Sequence, residues 1–300
     1  MSTHTPAHAS AAPAGPAPVR TTVGTAPAGP APRPAGPRIQ SRQTILRSVR
    51  AEWIKFWSLR STWITSFIAI ALTVLFGAGL TAALGQSEQY QDTAKDLITQ
   101  GLAFGQIVVA VLGALIITGE YSSGQIRSSL AAVPKRGRLL MAKAVVLAIV
   151  SFLLGSLSVF LSWAISKPFI GEHAGSLTDS HYAGYIWGSG LVFAVIALMA
   201  LGLGFLLRST AGAITVIVSL LFVVAVPLQL AANKWDWVYK IIGCLPSTVS
   251  EAISDPFQRT TEWGGQGAQF LTHGQAIAVF AAWALIPLIA AWFVFSRRDA

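Results

Sequence analysis

Six stretches of this chain contain no Asp, Glu, Lys or Arg: residues 61–87, 97–119, 144–166, 180–207, 209–233 and 263–296. A bilayer hydrocarbon core about 30 Å thick needs roughly 20 helical residues at ~1.5 Å each, and every stretch is long enough to cross it. The runs are continuously apolar, whereas strands of a membrane barrel show alternating segments of ~10 residues. None of the six has the polar face that a helix of a water-soluble bundle needs. With 53% of residues hydrophobic and 11% charged, against about 25% charged in an ordinary soluble domain, water is not the only solvent for this chain. The sequence predicts an all-α membrane protein with six transmembrane helices, at approximately 62–84, 99–118, 143–165, 186–207, 211–231 and 276–296.

The formal net charge of +9 invites a nucleic-acid reading, but the placement of the charges carries topology instead. If the N-terminus is cytoplasmic, all but five of the 21 Lys and Arg fall on the inner side: those up to Arg60, the group from Arg127 to Lys143, then Arg208, Arg297 and Arg298. The positive-inside rule therefore predicts N-in and C-in, with no nucleic-acid partner. Most acids (Glu88, Asp92, Asp96, Glu172, Asp179, Asp236, Glu251, Asp255, Glu262) fall outside. Cys244 is the single cysteine, which excludes an intramolecular disulfide and a cysteine-built zinc site. No metal site is expected.

Residues 1–40 are rich in Pro, Ala and Gly and read as a disordered cytoplasmic tail, without the apolar core of a signal peptide. Residues 41–300 form the membrane domain. It opens with a basic amphipathic helix, Gln43 to Arg60, in which Ile45, Val49, Trp53 and Phe56 recur at helical spacing while Arg42, Arg47, Arg50 and Lys55 occupy other positions. Such a helix lies flat on the inner membrane surface, with aromatics at headgroup depth and cations toward phosphates. Arg47, Arg50, Trp53, Lys55, Trp57 and Arg60 are its interfacial set. A simple juxtamembrane anchor and a partner-contacting helix both fit it. Between spans five and six, the outer segment 232–275 contains two apolar pieces too short to cross, divided by Pro246. They read as two re-entrant or interfacial helices, in which Trp237, Ile241, Leu245, Pro246 and Val249 form a candidate outer gate and Cys244 packs as a small hydrophobe.

The loop after the second span begins Gly119-Glu120-Tyr121-Ser122-Ser123-Gly124-Gln125-Ile126-Arg127. Ser122 and Gln125 have the spacing of a capping box, so a short helix is expected to start there and to stop at Pro134. Ile126, Leu130 and Val133 share one face of it, and Arg127, Lys135, Arg136 and Arg138 supply positive charge. A helix docking into a partner's groove and an ordinary basic loop lying on headgroups are both compatible with these residues.

The stretch from Trp53 to Trp63, with the amphipathic helix before it, resembles the lead-in to the first span of ABC type-2 exporter permeases. The segment from Gly119 to Arg138, followed by Lys143, resembles the same family, whose members pair Gly-Glu-Tyr after the second span with a Pro-x-Arg turn before the third. The resemblance covers roughly residues 43–300. It implies a subunit that dimerises and contacts a separate ABC ATP-binding subunit through this loop, with Glu120, Tyr121, Gly124, Arg127, Pro134, Arg136 and Lys143 as the coupling residues. It also implies that the outer helices close the pathway.

The chain has no G-x-x-x-x-G-K-[ST] phosphate loop, so ATP and Mg are expected on the partner subunit and no cofactor or catalytic residue here. The histidines lie in the tail or outer segments, where His273 is expected to contact headgroups. No ionisable residue is expected at depth within the spans, which disfavours a proton-coupled carrier. The expected function is the permease subunit of an ATP-driven exporter of a hydrophobic or amphipathic substrate across a bacterial plasma membrane. A non-transporting membrane scaffold or assembly factor, and a secondary carrier, remain as alternatives.

Overall fold

A computed structural model of the protein describes residues 44–85, 87, 97–171, 176–178, 180–254 and 271–297; the expected tail, residues 1–40, lies outside them. Every regular element among the described residues is helical. In chain order they are α1 (Ile45–Ser58), α2 (Arg60–Leu84), α3 (Leu102–Ser122), α4 (Gln125–Ala132), α5 (Arg136–Ile170), α6 (Ser180–Leu207), α7 (Thr210–Val218), α8 (Ala225–Ala232), α9 (Val238–Gly243), α10 (Pro246–Ser254) and α11 (His273–Arg297). Six helical segments are long and apolar enough to cross a membrane: α2, α3, α5, Ala183–Leu207 of α6, the composite Thr210–Ala232 and α11. The chain is a multi-pass helical membrane protein.

The core is built around α6. It packs along α3 and α5 and is flanked by α11, while α2 lies against α3 and α5 on the other side. Val192, Phe193, Ile196, Met199 and Leu201 of α6 are fully or almost fully buried. Helices with apolar surfaces gain little by leaving lipid for one another, so close packing and satisfied polar groups must hold them together. Small residues make the approach possible. A Cβ on Gly101 would lie 1.9 Å from the Thr73 carbonyl oxygen of α2, and one on Gly155 would lie 2.4 Å from the Ser189 carbonyl oxygen of α6. Several buried hydroxyls are satisfied within their own helices: Ser158, Ser162 and Ser166 donate to the carbonyls of Leu154, Ser158 and Ser162, and Thr73 and Thr81 to those of Ala69 and Gly77.

Three spans differ in detail from the sequence expectation. The third begins at Arg136 and runs to Ile170 with Pro168 inside, because nothing after Pro134 interrupts the helix before the apolar run. The fifth is continuous in length but passes through a π turn at Ser219–Val223, where the Val224 amide donates to the Ser219 carbonyl at 2.8 Å. The second extends to Ser122, so it includes Glu120. Spans four and five, which the sequence places only three residues apart, are joined by a tight turn: Arg208 adopts a left-handed φ of 51°, and the Ser209 hydroxyl caps α7 by accepting from the Gly212 amide at 3.2 Å.

Two short helices, α9 and α10, occupy the segment after span five, and Pro246 is the first residue of the second, a position where its missing N–H costs nothing. The Ile253 carbonyl lies 2.2 Å from where a Gly188 Cβ would sit, so α10 is pressed against α6. Gln106 of α3 donates to Ser250 of α10 at 3.4 Å, and Trp283 of α11 donates its indole N–H to the Cys244 carbonyl at 2.8 Å.

Candidate functional site

Glu120 lies two residues before the end of α3 and Lys143 on the second turn of α5, and both side chains are buried. The charge-free runs 97–119 and 144–166 stop one residue short of each, whereas the helices include both. A buried ion needs a partner, and the two have each other, since the Lys143 ammonium donates to Glu120 Oε1.

α1 completes the cluster. Glu52 Oε2 accepts from Lys143 Nζ at 2.9 Å, and Lys55 Nζ donates to Glu120 Oε1. Lys55 also reaches the Ser129 hydroxyl of α4 at 3.5 Å. Two acids and two bases thus balance in formal charge where α1, α3 and α5 meet. Glu120 Oε2 is buried without a hydrogen-bond partner, beside a small pocket lined by all four charged residues together with Phe56 and Thr62. Lys55 was expected to point at lipid phosphates; it turns inward instead, because a buried carboxylate lies on that side of the helix.

α1 has two faces. Phe56 is buried, and Val49 and Trp53 pack against the core. Arg47, Arg50, Trp57 and Arg60 of the expected interfacial set are exposed, beside exposed Leu46 and Ile54. Trp63 donates its indole N–H to the Trp57 carbonyl at 3.0 Å, which fixes the bend between α1 and α2.

The other expected coupling residues separate into two groups. Tyr121 lies under the Arg208 guanidinium at 5.1 Å, next to a 2.6 Å hydrogen bond between the hydroxyls of Thr118 and Thr210, so the turn between spans four and five is pinned to the end of α3. Arg136 donates to the Phe295 carbonyl at 3.0 Å and lies over the Phe295 ring, which ties α5 to α11. Gly124, Arg127 and Pro134 are exposed. The Ser122–Gln125 capping box does not form. The Ser122 and Ser123 hydroxyls instead bond back to the Gly119 carbonyl, and Gly124, at φ 71°, breaks the chain direction before α4 starts at Gln125. Ile126 is buried, and Leu130 and Val133 pack against the core, so the apolar face of α4 is occupied by this chain itself.

Of the candidate outer gate, Leu245, Pro246 and Val249 are buried, whereas Trp237 and Ile241 are exposed. His273 does not present its ring as a headgroup contact. The ring stands edge-on to Trp187, and both nitrogens are buried without a hydrogen-bond partner among the described residues. Among the described residues no group of His, Cys, Asp or Glu is arranged to hold a metal ion.

Glu52, Ser129, Arg208 and Phe295 carry contacts that the motif reading did not assign. One signal was available for the first: Glu52 is the only acid in the first 87 residues, set among basic ones.

Six helices long and apolar enough to cross a membrane, with balanced buried charges where α1, α3 and α5 meet, make this a multi-pass membrane protein. The chain matches the ABC-2 family transporter proteins over residues 48–232, more than half its length, and it belongs to that family. The matched segment contains all four charged residues of the cluster. A comparison with curated proteins gives no match.

Proposed function

We propose that this chain is the permease subunit of an ATP-driven ABC exporter, energised by a separate ATP-binding subunit that carries ATP and Mg. The observation that supports this most is the Glu120 end of the bundle. There a short helix, α4, packs its apolar face on the core and leaves Gly124, Arg127 and Pro134 exposed, while the residue two before the end of α3 is ion-paired to α1 and α5. Displacement of α4 by a partner has a short polar route into three helices. Family membership supports an ATP-binding partner.

In this reading both termini are cytoplasmic, which the Lys and Arg distribution favours, so α4 faces the motor and α9 and α10 lie at the outer face as re-entrant helices that close the pathway. Residues 41–300 are the transport domain and residues 1–40 a tail. Two copies form the pathway in a bacterial plasma membrane, α1 rests on lipid headgroups through Arg47, Arg50, Trp57 and Arg60, and the substrate is hydrophobic or amphipathic. A motor can drive the change only by binding the two states of the permease unequally.

The test is co-purification of the full chain from its native membrane. A nucleotide-binding subunit should accompany it, with an ATPase rate that depends on the permease, and Arg127→Ala should lower that stimulation without reducing membrane insertion. Transport in vesicles driven by an ion gradient in the absence of ATP would overturn the proposal in favour of a secondary carrier. A purified chain with no ATPase partner and no transport would favour a scaffold.

A further inference from the structure

Glu52 is the member of the charged cluster for which neither the motif resemblance nor the loop geometry supplies a role. Lys143 Nζ stands between two carboxylates, Glu52 Oε2 of α1 and Glu120 Oε1 of α3. Lys55, three residues after Glu52 and on the same side of α1, touches Glu120 and the Ser129 hydroxyl of α4. The polar contacts therefore leave α1 twice, once toward α5 through Glu52 and once toward α3 and α4 through Lys55. Without Glu52, two ammonium groups would share one carboxylate oxygen in a buried place, and Lys143 would lose the contact that holds it from the α1 side. Glu120 Oε2 has no partner, so nothing else among the described residues holds the carboxylate's second oxygen.

We propose that Glu52 is a positioning residue for force transmission: acting through Lys143, it ties α1 to the Glu120 end of α3, so that α1, α3 and α5 follow a displacement of α4 as one body. The assignment rests on the reading of α4 as the element that an ATPase displaces. It differs from a simple anchoring role for α1, which needs no acid on the inward face.

The experiment uses the full-length chain with Cys244→Ser, reconstituted in nanodiscs of phosphatidylethanolamine and phosphatidylglycerol, with spin-label pairs read by pulsed electron paramagnetic resonance. One pair joins α1 to the far end of the bundle (Leu46→Cys with Leu230→Cys), and the other joins α4 to the same reference (Ser128→Cys with Leu230→Cys). All three sites are exposed. In the chain alone, the α1 pair should give one narrow distance in the parent and in Glu52→Asp. Glu52→Gln, close to Glu in shape but uncharged, should lose that single distance while the protein still elutes as a folded species. A distance distribution unchanged by Glu52→Gln overturns the assignment, whatever the motor does.

The second arm adds the co-purified ATPase and a non-hydrolysable ATP analogue. Both pairs should shift in the parent. In Glu52→Gln the α4 pair should still shift and the α1 pair should not, a split that loss of stability alone does not produce. An α1 shift equal to the parent's in Glu52→Gln contradicts the assignment. If neither pair moves in the parent, the reading of α4 as the motor's contact falls, and the proposed transmission falls with it.

Discussion

The two ends of α3 are fastened in different ways. At Glu120 the helix is held by ionised side chains from α1 and α5. At Gln106, roughly 21 Å away at about 1.5 Å per residue, its side-chain hydrogen bond to another helix is between neutral groups, Gln106 to Ser250 at 3.4 Å. Nearby, a neutral indole-to-carbonyl bond, Trp283 to Cys244, joins α11 to the segment before α10. Burying ions is costly in itself, and a buried ion pair is often no more stabilising than an apolar replacement. What a charged cluster provides is geometry, because its members tolerate few arrangements, and loss of one strands the others. Neutral hydrogen bonds between short helices are individually worth about 1 kcal/mol and can be exchanged at modest cost. Under the proposed function, the Glu120 end would be rigid where force arrives and the Gln106 end adaptable where the pathway opens.

The largest effect expected from this contrast is at Lys143. Lys143→Met leaves Glu52 and Glu120 with only the more exposed Lys55 between them, and should destabilise the chain by about 3–5 kcal/mol, read as a fall in the thermal midpoint of the detergent-purified protein. Gly101→Ala tests the other end. The added Cβ meets the Thr73 carbonyl oxygen at 1.9 Å, so α2 and α3 must separate there, at about 1–3 kcal/mol. A cost matching that of Lys143→Met would erase the proposed difference in rigidity. Trp283→Phe, which removes only the bond to the Cys244 carbonyl, should cost about 1 kcal/mol and make the α9–α10 segment more accessible to protease. Lys55→Met should change the thermal midpoint least, because its side chain is 22% exposed and Glu120 keeps Lys143 as a partner. It should still lower permease-stimulated ATPase, since Lys55 is the link from α1 to α4.

The sequence showed the membrane architecture because apolar length and charge-free runs are strong one-dimensional signals. The six spans, the turn at Arg208-Ser209-Thr210 and the two short helices around Pro246 are all present. It misjudged what one dimension does not hold. The Ser122–Gln125 spacing matched a capping box, but Ser122 still belongs to the last turn of α3, where its hydroxyl donates to the Gly119 carbonyl, and Gly124 could adopt the left-handed conformation that separates α3 from α4. Lys55 looked like one more interfacial cation because a helical pattern says nothing of a carboxylate 65 residues away. The candidate site was legible in part: Glu120 and Lys143 meet, whereas Arg136 turns to Phe295 and Tyr121 to Arg208. A sharper signal lay in the acids. Most of the twelve fall in the segments that the sequence reading takes as outer, and of the few that do not, Glu52 and Glu120 meet in one cluster.

Under the proposed function, force from an ATP-binding subunit enters at the Glu120 end, through α4. The most direct measurement is cross-linking in native membranes from a photoreactive label at Arg127→Cys, in a chain carrying Cys244→Ser, compared with the same label at Trp237→Cys. A cross-link is expected from position 127 to a nucleotide-binding subunit, with a yield that changes when ATP is added, and none from position 237. Cross-links from position 127 to lipid alone, or to the ATPase from position 237 instead, would contradict it.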